Sequence, residues 1–481
     1  MKKENTLLTK MYIESAINGP EGSSIAYFFR GDQFVIYNWV QDRSTLGAKT
    51  ITDVWSLPDY FQPPGFSPRF DAAISGHESN LAEYRDHSYF FRGGKYVRYD
   101  WRHSSPRSFE FDDDIQKWGL PSSPSPFAEN VDAAFNGKFS RQGKVYFFKN
   151  NQYARCDWAG HLDYIKAIGS LVNMPSEFAT SVDAAVDGDG PWVNYGYLFK
   201  GDKYIRFNWD NGGTNPHVDI GPSPIIGNWQ GLIELLLAGE AKSKAFEWLW
   251  AAIPQLEAYR GALQSSTSYP DAPFMDSTLN IHFRIDPAWG NETKIGHLNT
   301  ILDNFYKVRD SLHRAPDIFK HAIEDEYPEM AGIIIIEQNP DGSPRLDGAG
   351  NVIPIRDEQG RKQPDTAAYT SFGSSITFTK MYATKGPACR ASQIIHEVIH
   401  YVDNASVAAN DIPEWYVTDL TAGLLGLPTA SDMPVTFRYD LMTVDVSIHN
   451  PSSYASFAQH IRYRFDTRYG ERRQEPIPGL W

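Results

Sequence analysis

The stretch AYFFRGDQFVIYNW, residues 26–39, returns as SYFFRGGKYVRYDW at 88–101, as VYFFKNNQYARCDW at 145–158 and as GYLFKGDKYIRFNW at 196–209. Ahead of each copy stands a second short motif: ESAING from Glu14, DAAISG from Asp71, DAAFNG from Asp132 and DAAVDG from Asp183. A self-similar chain is read one unit at a time. Within a unit, Tyr-Phe-Phe is a short strand. Arg-Gly-Asp or Lys-Asn-Asn is a tight turn, because Gly and Asn tolerate positive φ. Tyr-Val-Arg-Tyr-Asp-Trp alternates apolar and polar residues, as a half-buried strand should. The hairpin plus the DAA strand makes a small sheet that cannot bury both faces alone. Four such sheets arranged radially would cover one another. The expectation is a four-bladed β-propeller with blades at about 11–66, 67–129, 130–180 and 181–231, behind a tail of residues 1–10.

This pattern resembles the hemopexin-like repeat family over residues 11–231. The resemblance implies that the DAA strands line a central channel whose backbone carbonyls hold a calcium ion, with Glu14, Asp71, Asp132 and Asp183 at the matching positions. The alternative for these acids is that they cap or pair locally. Many relatives tie the first blade to the last with a disulfide. Here the two cysteines, Cys156 and Cys389, fall in different apparent domains. They read as free thiols, so closure must rest on packing.

The chain has 481 residues, ample for a large core and several domains. A net charge of −14 argues against nucleic acid as a main partner, because phosphate binding needs a basic face. No run reaches the ~18 apolar residues of a transmembrane segment. The richest apolar stretch, 232–253, is interrupted by Glu234, Glu240, Lys242, Lys244 and Glu247 and reads as an amphipathic helix. The opening MKKENTLLTKMYIES is basic but lacks an apolar stretch of signal length. That points to secretion or delivery without a cleaved signal peptide, with a cytoplasmic location as the alternative.

Residues 232–481 have a different texture and read as one α+β domain. Ile295, Leu298, Ile301, Leu302, Phe305, Val308 and Leu312 share a helical face. Residues 332–336 read as a buried strand, 340–365 as a long surface loop, and SSITFT at 374–379 as an edge strand. Residues 391–404 then place Ala391, Ile394, Ile395, Val398, Ile399 and Val402 on one stripe, which predicts a buried helix.

That helix carries HEVIH: His396, Glu397 and His400. Histidines four apart lie one turn apart on one face, so both imidazoles can reach one metal ion. Glu397, offset around the helix, can take a proton from a water that the metal polarises. The bland alternative is a buried helix with two coincidental histidines; a chance HExxH in a chain this long is expected on the order of 1% of the time.

A catalytic zinc needs a third protein ligand. The metzincin pattern HExxHxxGxxH requires Gly and His where this chain has Asp403 and Ser406, and hemopexin-bearing matrix metalloproteinases have the reverse domain order. The candidates are Asp403, Asp411 and Glu414. The stretch from Ile376 resembles the aspzincin, or deuterolysin-type, peptidases, the group that contains the lysine-specific metallo-endopeptidases. HEVIHYVDN, then AANDIPEWY, then HNPSSYASFAQHI at 449–461 carry the likeness over some 90 residues. The resemblance implies a zincin-like metallopeptidase domain with Asp411 as third ligand, Glu397 as general base and Tyr416 as oxyanion donor. Tyr416 is displaced by two residues from the family spacing, and the family's Gly-Thr before the aspartate is missing. Lysine-specific relatives place acids where this chain has Ser452 and Ala455, so a lysine preference does not carry over. The acids Asp432, Asp440 and Asp445 lie nearby.

The leading expectation is a zinc-dependent endopeptidase acting on a protein or peptide substrate. Its propeller would recruit a protein or glycan partner. A bacterial toxin or effector is compatible with that reading. The alternative is a non-catalytic hemopexin-type binding protein with an inert peptidase-like domain; the intact Glu397 argues against it.

Overall fold

The computed structural model describes residues 13–44, 46–61, 68–102, 109–209, 216–314, 317–323, 326–329, 334–339, 344–357, 360–364, 367–371, 373–403, 406 and 443–464. The chain divides into two compact units, Met1–Leu236 and Leu237–Trp481.

Each repeat of the first unit forms its own antiparallel sheet. The inner strands are the motif strands Ser15–Asn18, Ala72–Ser75, Ala133–Asn136 and Ala184–Asp187. The hairpin strands follow: Ile25–Arg30 with Gln33–Asn38, His87–Arg92 with Lys95–Asp100, Lys144–Lys149 with Gln152–Asp157, and Tyr195–Lys200 with Lys203–Asn208. The pairs Arg30 with Gln33, Arg92 with Lys95, Lys149 with Gln152 and Lys200 with Lys203 close the hairpins. Their turns place Gly31, Gly93, Asn150 and Gly201 at φ of 55°, 60°, 52° and 58°, the left-handed region that Gly and Asn accept most readily. Outer strands Phe109–Asp114, Leu162–Ala167 and His217–Pro224 complete three sheets, while the first uses two short pieces, Arg43–Ser44 and Lys49–Thr50.

The inner strands are buried along their length, and each lies against the inner strands of the sheets before and after it, the first also against the fourth. Aromatic residues fill the spaces between sheets. Phe29 and Trp55 meet Phe70 and Phe90; Phe91 and Trp118 meet Phe147 and Trp158; Phe135 meets Phe207 and Trp209. The fourth sheet meets the first at Trp229. That ring lies 5.4 Å from Phe28, 5.0 Å from Tyr37 and 5.7 Å from Trp39 on one side. On the other side it lies 4.9 Å from Tyr197, 5.0 Å from Phe199 and 5.8 Å from Tyr204. Beside it, the Ser44 N–H donates to the Gln230 carbonyl at 2.8 Å. Cys156 and Cys389 are free thiols, and burial pushes Cys156 up to about 12.

The helix Leu232–Gln264 begins in the first unit and is longer than the expected 232–253. Its first two turns are buried on every side, Glu234 included, so the start is not amphipathic. The expected apolar face at 295–312 lies on the helix Asn291–Arg314, with Leu298, Ile301, Leu302, Phe305, Val308 and Leu312 buried. A helix at Ala272–Phe283 has no counterpart in the sequence reading.

A three-stranded sheet sets the frame for the HExxH helix. Ser375–Phe378 is its central strand, parallel to Phe319–His321 and antiparallel to Ala368–Ser371. All four of its residues are buried, which corrects the edge placement of SSITFT. The segment around 340–365 is not a plain loop. Bridges join Ile334 to Pro364, Ile336 to Pro354, Leu346 to Val352 and Arg356 to Lys362. Asp347 Oδ1 accepts from the Ala349 and Asn351 N–H groups, and Asp357 Oδ1 accepts from Arg361 N–H, each closing a turn. These Asp-started turns were the hairpin signal in the sequence.

Candidate functional site

The helix Pro387–Val402 starts with Pro387 in its first turn, where the missing N–H costs nothing, and buries Ala388, Ala391, Ile394, Ile395, Val398 and Ile399. It ends where the Asp403 N–H donates to Ile399 O at 2.8 Å. On this helix the His396 and His400 rings lie 5.0 Å apart.

Each ring is held at Nδ1 by a hydroxyl. His396 Nδ1 lies 3.2 Å from Ser452 Oγ, and His400 Nδ1 lies 3.3 Å from Ser406 Oγ. Ser406 gives its one proton to backbone carbonyl, that of Asp403 at 2.5 Å, so its oxygen accepts from His400 Nδ1–H. That tautomer places the ring's lone pair on Nε2, the form a metal ligand needs. Glu397, only 7% exposed, receives Thr370 Oγ1 at 2.6 Å from its Oε2. Thr370 belongs to the edge strand Ala368–Ser371.

Asp403 faces a different partner. Its Oδ2 lies 2.7 Å from His449 Nδ1 and accepts from Asn304 Nδ2 at 3.3 Å. Asn304 also donates to Tyr454 Oη at 2.9 Å, and Tyr454 donates to Ile448 O at 2.6 Å. Burial pushes the Tyr454 phenol well up, so it remains an O–H donor. The helix Pro451–Tyr463 starts behind Asn450, as the phrase HNPSSY implies. Of the specificity positions, Ser452 faces His396 and Ala455 is buried.

Among the described residues, no group of three or more His, Cys, Asp or Glu could hold a metal ion. The described residues supply two histidines with the chemistry and spacing of zinc ligands. Asp403, an expected alternative ligand, has its carboxylate engaged by His449 and Asn304. Asp411, Glu414 and Tyr416 lie outside the described residues, as do Asp432 and Asp440. Sequence reasoning missed Thr370, Ser406 and the Asp403–His449 pair, whose partners come together only in the fold.

In the first unit the four motif acids do one repeated job. Glu14 accepts from Gly31 N–H at 3.0 Å, Asp71 from Gly93 at 2.8 Å, Asp132 from Asn150 at 2.7 Å and Asp183 from Gly201 at 2.7 Å. Each carboxylate staples the hairpin turn of its own sheet. The other ends of the inner strands carry a polar cluster. Asp187 accepts from Asn136 N at 3.0 Å and Nδ2 at 2.8 Å, and Asn136 Nδ2 also donates to Ser75 O at 3.0 Å. Asn18 Nδ2 donates to Asp187 O at 2.9 Å. Burial pushes the Asp187 carboxyl up to about 6, against the pull of Lys138. Lys138 Nζ lies 2.8 Å from Glu78. Burial would raise Glu78, but His77 and Lys138 outweigh it and hold it at about 2.

No family model matches the chain. Among curated proteins it is similar to Albumin-2 of Pisum sativum, at 32% identity over 111 residues, 22% of this chain and 46% of that protein. The chain thus spans about half the length of that relative. Among solved structures it is similar to a 2S albumin seed protein from Dolichos, at 20% identity and a TM-score of 0.38, covering 45% of this chain and 96% of the other. It is likewise similar to the hemopexin fold protein CP4 from cow pea, at 21% identity and a TM-score of 0.38, covering 47% and 97%. These neighbours cover the N-terminal half. No described helix is long and apolar enough to cross a membrane.

Proposed function

We propose that the second unit is a zinc-dependent endopeptidase centred on the HExxH helix, carried behind a hemopexin-like four-bladed propeller that recruits its target. The observation that carries this reading is the pairing of His396 and His400, 5.0 Å apart, each held at Nδ1 by a serine hydroxyl. Coincidental core histidines have no need of that arrangement. His396 and His400 would hold the ion, with Asp411, or else Glu414, as the third ligand. Zinc supplies Lewis acidity, acidifying a water and polarising a peptide carbonyl. Glu397 takes the proton of the attacking water and returns it to the leaving nitrogen. Thr370, donating to Oε2 at 2.6 Å, holds that carboxylate in one orientation. Tyr416 is proposed as an oxyanion donor. The ring of inner strands supports the propeller reading, and a calcium ion held by backbone carbonyls in its channel belongs to the same proposal. A protein or glycan is the proposed ligand of that propeller, and a role as a secreted toxin or effector is compatible with it.

The test compares wild type with Glu397→Ala for zinc content and for cleavage of a denatured protein mixture. Wild type should hold about one zinc per chain, and the variant should keep the metal while losing roughly 10²–10⁴-fold in activity. Wild type that takes up no zinc, even after zinc addition and dialysis, refutes the peptidase reading and leaves the N-terminal unit as a binding protein.

A further inference from the structure

An α-helix turns about 100° per residue. On the helix Pro387–Val402 that rotation sets Gln393 within about 60° of His396, Glu397 and His400 around the axis. Gln393 stands about one turn nearer the helix start than His396 and Glu397, and side chains three and four apart on a helix are neighbours. A peptide whose scissile carbonyl sits at the two histidines and Glu397 therefore has Gln393 beside it.

Gln393 is half-buried, and its Oε1 is buried with no hydrogen-bond partner among the described residues. A buried acceptor without a bond costs the fold free energy, and an apolar side chain of the same length would avoid that cost. The core-facing positions Ala388, Ala391, Ile394, Ile395, Val398 and Ile399 of the same helix are apolar. Stability therefore gives no reason for an amide at 393, whereas binding does. The oxygen has already shed its water and has no protein bond to give up. A donor that reaches it gains a hydrogen bond with little to offset it. The terminal amide of Gln rotates broadly, which lets a half-buried side chain turn its oxygen to that donor.

We propose, on the basis of the peptidase reading above, that Gln393 is a substrate-binding residue whose Oε1 accepts a hydrogen bond from a peptide N–H beside the scissile bond. The bond is made alike in the bound substrate and in the transition state, so it acts on affinity rather than on turnover.

The experiment uses the full chain and a fluorogenic peptide built on a bond that wild type cuts in a protein digest. Gln393→Met, unbranched and of similar length, removes the acceptor. It should keep wild-type zinc content, melt at or above the wild-type temperature and raise KM about 10-fold with kcat nearly unchanged. Gln393→Asn, which restores an amide one methylene shorter, should recover part of that loss. Wild-type KM in Gln393→Met overturns the proposal. So does a fall in melting temperature, which would give the amide a structural role. Loss of zinc or of kcat also overturns it, because the residue would then act through the metal or through Glu397. Wild type that neither binds zinc nor cuts refutes the peptidase reading itself, and this inference with it, before any variant is compared.

Discussion

Replacing Trp229 with alanine should loosen the seam between the first and fourth sheets. Trp229 is 3% exposed and packs against three rings of each sheet. No disulfide shares the load, since both cysteines are free. Truncating a buried Trp costs about 3–5 kcal/mol. Edge-to-face partners on both sides favour the upper end, so about 4–5 kcal/mol is expected here. For a unit of this size each kcal/mol lowers the melting temperature by about 2–4 °C, which makes the expected fall about 8–20 °C. Trp229→Phe keeps a ring in the slot and should lose only a few degrees. Scanning calorimetry of the full-length variants reads both values. A Trp229→Ala chain that melts within about 3 °C of wild type would show that the seam does not depend on this side chain.

Two further outcomes follow from the sites described. Asp187 has a folded value of about 6, above the ordinary unfolded carboxylate near 3.9, so the folded state binds the extra proton and stability falls as pH rises from about 4 to about 6. Asp187→Asn should flatten that slope and gain up to about 3 kcal/mol over wild type at pH 7; denaturant unfolding at pH 4.5 and 7 measures it, and an equal slope in both proteins defeats the argument. Ser452→Ala removes the hydroxyl at His396 Nδ1 and should weaken zinc binding about 10–100-fold in competition with a chromophoric chelator, whereas unchanged affinity would mean the ring is oriented by other contacts.

The repeat was legible because a strand states itself locally: alternation marks the hairpin, and Gly or Asn marks its turn. The residues that pack the first sheet against the fourth were not legible. Trp229 lies outside the repeated phrase, and its partners come from the first and last repeats, so no local pattern connects them. The HExxH helix was legible for the same reason as the hairpins, since its spacing is its geometry. The supports of the site were not. Thr370 sits 27 residues before Glu397, and Ser452 sits 56 residues after His396. A hydroxyl in a sequence carries no sign of which ring it will face. The strand SSITFT was found but misplaced, because four buried residues in a row read alike at an edge and at a centre until the neighbours are known.

The four repeats also act as an internal comparison that separates framework from function. An acid begins every inner strand, and in all four sheets it caps the same hairpin turn. Its recurrence is explained by the turn, whose left-handed residue leaves an N–H to be satisfied. The opposite end of the same strands does not recur: it reads Asn18, Ser75, Asn136 and Asp187. Asp187 uses its carboxylate to bond the Asn136 end of the neighbouring inner strand, and that bond keeps in the fold a buried carboxylate raised to about 6. Asn136 Oδ1 is buried there with no partner among the described residues. Features the four sheets share therefore account for the fold of this unit, and the sheets differ at the Asp187 end of their inner strands.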